Sequence, residues 1–62
     1  MEIAVALYDF TGQREGDMQF KQGQQILILN RKEQHNWWLG TMGSGKQGWF
    51  PKNFVRVESF AP

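Results

Sequence analysis

The chain has 62 residues, no cysteine, one histidine and a net charge of +1, so it holds one domain with no disulfide and no zinc site built on cysteine and histidine. A chain this short buries only about 60% of the surface its unfolded form exposes, yet it carries nine aromatic residues: three Trp, five Phe and one Tyr. The longest aliphatic run, Ile26 to Leu29, is far short of the ~20 residues of a membrane span, no basic-then-apolar leader opens the chain, and mixed charge without low-complexity tracts argues against disorder. The expectation is a cytoplasmic module belonging to a larger intracellular protein.

In chain order, short β-prone runs alternate with glycine and polar punctuation, and no eleven-residue stretch gives an apolar stripe at helical spacing. The first strand is expected over Ile3 to Tyr8. A polar stretch with Gly12 and Gly16 follows, ending at period two in Met18 and Phe20. The second strand, Gln25 to Asn30, is introduced by Gly23 and leads into the polar segment Arg31 to Asn36. Trp37 to Met42 is the third strand, Gly43-Ser44-Gly45-Lys46 a tight turn, and Gln47 to Phe50 the fourth, stopped by Pro51, which has no N–H for a ladder. Phe54 to Val57 reads as a last short strand. Five short strands without a helix predict an all-β fold, a small barrel or two orthogonally packed antiparallel sheets. Residues 1–62 form one domain, with a core over 3–58 and fraying tails at 1–2 and 59–62.

Charge is unevenly distributed. Residues 8–20 hold Asp9, Glu15 and Asp17 against Arg14, a balance of −2 (+1 − 3). Residues 21–56 hold six basic residues against Glu33, a balance of +5 (+6 − 1). The basic residues are scattered and read as a solvated face, whereas the acidic group is concentrated in one long polar stretch. Long ordered loops on small scaffolds are often functional.

Catalysis finds little support. His35 sits between Gln34 and Asn36 as a surface residue, and Ser44 and Ser59 have no base near them. Asp9, Glu15 and Asp17 lack the alternating oxygen pattern of a calcium loop. Gly43 and Gly45 do not lead from a strand into a helix, so no phosphate loop is implied. No catalytic residue, cofactor or metal is expected.

The aromatics remain. Tyr8 and Phe10, two apart, share a face in an extended chain. Trp37-Trp38 puts one indole on each face of its strand, and Trp49-Phe50 divides in the same way. Alternation therefore drives several large rings outward.

These residues form motifs. Ala6-Leu7-Tyr8-Asp9-Phe10, Glu15-Gly16-Asp17-Met18-Gln19-Phe20, Lys21-Gln22-Gly23, Trp37-Trp38, Gly48-Trp49-Phe50-Pro51 and Asn53-Phe54-Val55 together resemble the Src-homology-3 (SH3) domain family, in order and at nearly its spacing. The resemblance implies a five-stranded barrel with a short 3-10 turn near Lys52–Phe54. It also implies a non-catalytic module that binds proline-rich segments of partner proteins in the polyproline II conformation, as the adaptor or recruiting part of a signalling or cytoskeletal and trafficking protein. Prolines at PxxP spacing lie about 9 Å apart on one edge of that helix, and parallel aromatic ridges make grooves for them.

By this resemblance, Tyr8 and Phe54 with Phe10 wall one proline pocket, and Tyr8, Trp37, Pro51 and Phe54 form a second. The Trp37 indole N–H and the Asn53 side chain donate to peptide carbonyls. Glu15 and Asp17, flanking Trp37, form a third pocket for a ligand Arg or Lys, with Glu33 and Asn36 at its rim. Trp49 extends the exposed aromatic surface. Phe10 and Phe54 stand where the family commonly has tyrosines, so two hydroxyl donors are lost. Alternation and family pattern agree on a core of Ala4, Ala6, Met18, Phe20, Ile26, Ile28, Phe50 and Val55, with Phe50 filling the space above Gly40. Trp38 and Trp49 are expected at the periphery.

Outward rings also suit a methyl-lysine cage on a different small barrel or a base-stacking nucleic-acid surface. The basic residues are not interleaved with the rings, which argues against nucleic acid. The module is expected to act as a monomer, without nucleic-acid partners or membrane insertion.

Overall fold

The computed structural model describes residues 2–32, 34–43 and 45–60, with the backbone alone for 59 and 60. Five strands, β1 (Glu2–Ala6), β2 (Gln25–Asn30), β3 (Trp37–Thr41), β4 (Gln47–Pro51) and β5 (Val55–Phe60), form one antiparallel sheet in the order β4-β3-β2-β1-β5. A single 3-10 turn, Lys52–Phe54, joins β4 to β5. In place of two separate sheets, one continuous ladder wraps around a shared core, so that Phe20, at the end of the long loop, meets Phe50 of β4 at 6.1 Å.

Alternation decides what is inside. Ala4 and Ala6 of β1, Ile26 and Ile28 of β2, Trp38 of β3, Phe50 of β4 and Val55 of β5 all face the core, joined by Phe10, Met18 and Phe20. All eight residues expected in the core are buried. Phe50 does occupy the space above Gly40: a Cβ there would stand 2.8 Å from both Phe50 Cε2 and Ile26 Cγ2. Gly48 plays the matching part for the long loop. A Cβ on it would meet Met18 Cγ at 2.6 Å and the Met18 backbone nitrogen at 2.8 Å, so a bare backbone at 48 lets the loop dock on β4.

The strand limits differ from the expected ones for identifiable reasons. β1 starts at Glu2 and ends at Ala6, because past Ala6 the chain changes partners: Leu7 N donates to Phe54 O at 2.7 Å. β5 starts at Val55, Phe54 belonging to the 3-10 turn, and it runs to Phe60, pairing Ser59 with Ile3 and Phe60 with Glu2. Residues 2, 59 and 60, expected in frayed tails, are thus sheet residues. β1 lies inside the sheet and its backbone groups need partners on both sides. The last β3–β4 pair before this connection is Thr41–Gln47, and the tight turn expected over residues 43–46 includes Ser44, which lies outside the described residues. A register shift between Ile28 and Asn30 marks a bulge at Leu29, whose side chain is exposed.

Candidate functional site

Three backbone connections assemble the aromatic surface. Leu7 N to Phe54 O places the 3-10 turn beside Tyr8. The Phe10–Phe20 bridge, with both N–H···O bonds at 2.8 Å, closes the base of the loop Thr11–Gln19. Lys52 N donates to Asn36 O at 2.9 Å, which ties the 3-10 turn to the start of β3. Residues separated by more than forty positions in sequence, such as Tyr8 and Phe54, thereby come together.

The rings form a connected row. Tyr8 packs edge-on against Phe54 at 5.5 Å, Phe54 against Phe10 at 5.5 Å, and Phe10 against Trp37 at 5.9 Å. Tyr8 is 58% exposed and Trp37 and Phe54 are half-buried. Phe10 is only 6% exposed. The expectation that it stands beside them as a pocket wall is corrected: it lies beneath the row, in contact with Phe20 as well, and supports Trp37 and Phe54 from the core. It carries no hydroxyl, so its burial leaves no polar group unsatisfied.

Pro51 is half-buried and pairs with Trp37 across the β3–β4 ladder. Trp49, 42% exposed, pairs with Leu39 and so shares the outward face of Trp37 and Pro51. Asn36, whose carbonyl accepts from Lys52 N, and Asn53, within the 3-10 turn, are both exposed. Trp38 is not peripheral: it is buried, its Nε1–H donates to Lys32 O at 3.2 Å, and the Arg31 guanidinium covers its ring at 5.1 Å. Among the described residues, the Trp37 indole N–H donates to no protein acceptor.

The acidic loop is built around Asp17. Asp17 Oδ2 accepts from the backbone N–H groups of Gln13 and Arg14, each at 2.9 Å, and Asp17 N donates to Arg14 O at 3.1 Å. Gly16, at φ 93°, supplies the left-handed step this turn needs. The Asp17 side chain is 2% exposed. It is therefore an organiser of the loop more than a free carboxylate, although its Oδ1 stands 3.8 Å from Arg14 Nη2. The loop is fastened to β4 by Met18 N to Trp49 O at 2.8 Å and Trp49 N to Gly16 O at 3.1 Å. Glu15 is exposed at its tip. Asp9 is used elsewhere, its Oδ1 accepting from Gln22 N at 2.7 Å and bracing the Lys21–Gln24 turn. Glu33 lies outside the described residues.

Sequence reasoning did not reach Arg14, whose guanidinium stands 5.0 Å from the centroid of the Trp37 ring. No local pattern signals that contact, because it joins the loop to a strand distant in sequence. Among the described residues no group of three or more His, Cys, Asp or Glu is placed to hold a metal, and no helix is long and apolar enough to cross a membrane.

An antiparallel five-stranded barrel with an outward aromatic row beside a polar loop defines a peptide-docking class of small β module. The family model for the SH3 domain matches residues 5–52, and the chain belongs to that family, whose members are non-catalytic interaction modules that bind peptides. It is 51% identical over 55 residues to Protein YSC84 of Saccharomyces cerevisiae, a match covering 87% of this chain and 12% of that protein. The yeast YHH6 SH3 domain superposes with a TM-score of 0.84 at 49% identity, covering 94% of this chain and 98% of that one. An SH3 domain from a hypothetical 40.4 kDa protein of S. cerevisiae, solved in complex with a peptide, superposes with a TM-score of 0.81 at 42% identity, covering 90% of this chain and 93% of that one. The chain spans 11–12% of the length of the first curated relatives it matches.

Proposed function

We propose that residues 3–58 act as a single monomeric module that binds proline-rich PxxP segments in the polyproline II conformation. Its setting is the cytoplasm, as the recruiting part of a larger signalling or cytoskeletal and trafficking protein. The observation that carries this reading is the row Tyr8–Phe54–Trp37 with Pro51, held outward on a buried Phe10. Proline rings pack between such ridges without prior folding of the ligand, so little conformational entropy is lost on binding. The Trp37 indole N–H and the exposed Asn53 amide are donors for peptide carbonyls, which the polyproline II conformation leaves unpaired. Glu15, with Asn36 at the rim, faces a basic residue flanking the prolines, and Trp49 meets ligands longer than the PxxP core.

A contact surface of this size supports roughly micromolar affinity, about −8 kcal/mol. The test is an NMR titration of the labelled domain with a PxxP peptide carrying a flanking arginine. Shifts at Tyr8, Trp37, Asn53 and Phe54 are expected; their absence at millimolar peptide overturns the reading. A parallel titration with methylated-lysine peptides lacking proline separates the groove from a cation cage, since only a cage responds to methylation.

A further inference from the structure

The surface of Trp37 that a ligand cation would use is already covered by the protein's own Arg14. The guanidinium carbon lies 5.0 Å from the ring centroid, and Nη2 lies 3.8 Å from Asp17 Oδ1. An indole face and a carboxylate are the two partners an incoming arginine or lysine seeks. The backbone holds Arg14 in place to offer them to its own side chain: Arg14 N donates to Asp17 Oδ2 at 2.9 Å and Arg14 O accepts from Asp17 N at 3.1 Å. A guanidinium tethered this way competes intramolecularly, at high effective concentration, with any group arriving from solution. Its side chain is nonetheless 66% exposed, so it covers the ring from the solvent side and is displaceable. Asp17, by contrast, is fixed by its two backbone donors and cannot turn toward a ligand.

Building on the proline-groove reading, we propose that Arg14 is a specificity-determining residue, a built-in competitor for the basic residue that flanks the ligand's prolines. A ligand arginine must displace Arg14 from Trp37, or sit beside a like charge with Glu15 as its remaining partner. The preference for a flanking cation is therefore smaller than the acidic loop by itself would give. A ligand carboxylate at that position instead meets a guanidinium with outward-facing donors.

The experiment uses three peptides with the same PxxP core and Arg, Ala or Glu at the flanking position, titrated calorimetrically into the wild type and Arg14→Gln, with amide spectra confirming that both are folded. In Arg14→Gln the affinity ratio of the Arg to the Ala peptide rises about threefold to tenfold, the scale of one exposed cation–π contact plus a weak ion pair, and the Glu peptide weakens. In the free wild type the Arg14 side-chain δ protons are shifted upfield by the Trp37 ring current, and Trp37→Ala removes that shift. An unchanged or lower Arg-to-Ala ratio, or δ protons at unshifted positions, overturns the proposal while the groove reading stands. Failure of all three peptides to bind the folded wild type overturns the groove reading and this inference with it.

Discussion

The two faces of the β3–β4 hairpin use similar side chains for opposite ends. The inner face carries Trp38, Gly40, Gly48 and Phe50; the outer carries Trp37, Leu39, Trp49 and Pro51. On the inner face Gly40 leaves room for Phe50 and Gly48 for Met18 of the loop above it, and the Trp38 N–H is satisfied within the protein. On the outer face no such pairing of bulk with space exists, and the Trp37 N–H has no acceptor among the described residues. The inner face is filled from within, and the outer keeps aromatic surface exposed.

The largest effect should come from the inner face. Phe50→Ala removes the largest fully buried side chain and should cost about 3–5 kcal/mol, enough to leave much of so small a domain unfolded. Chemical denaturation measures it, and a loss under about 1 kcal/mol would erase the contrast between the faces. Trp37→Ala should act the other way round. Affinity for a PxxP peptide falls by about tenfold or more, about 1.4 kcal/mol or above, while stability drops by about 1 kcal/mol or less from the lost edge contact with Phe10. If calorimetry shows intact binding, or thermal melting shows collapse, the outer face is structural after all.

Asp17→Ala tests the loop between the faces. Loss of a buried carboxylate that accepts two backbone N–H groups should cost about 1–3 kcal/mol. Amide exchange at Gln13 and Arg14 should quicken before that of the β-sheet, and protection unchanged at those two amides would remove Asp17 from its organising part. Trp49→Ala should be the mildest, within about 0.5 kcal/mol of wild-type stability. Its effect on affinity is expected only with peptides extended beyond the PxxP core, which a length series read by fluorescence polarisation would detect or deny.

Much of this was legible along the chain because strand alternation is local. Period two assigns Ile26, Ile28, Phe50 and Ala4 to one side and Trp37 and Trp49 to the other, whatever the rest of the molecule does. The same rule misplaced Phe10. It put Phe10 on the face of Tyr8, but the chain bends after Ala6 and Phe10 pairs with Phe20 as an isolated bridge, so no strand geometry links it to Tyr8. Trp38 looked peripheral because the groups that bury it, Arg31 and the Lys32 carbonyl, come from a segment with no periodicity of its own. Asp17 was visible as an acid, but its commitment to two backbone amides depends on the turn that Gly16 allows.

Composition and a two-residue period suffice for the number of strands, the surplus of aromatic rings and most of the inward residues, though not for Phe10 or Trp38. How those rings are shared between floor and wall, and that Arg14 rather than open solvent lies on Trp37, depends on the folded arrangement. Contacts such as Tyr8 with Phe54 and Arg14 with Trp37 join residues far apart in sequence. They exist only once the sheet has wrapped and the loop has been fastened to β4, which no local pattern encodes.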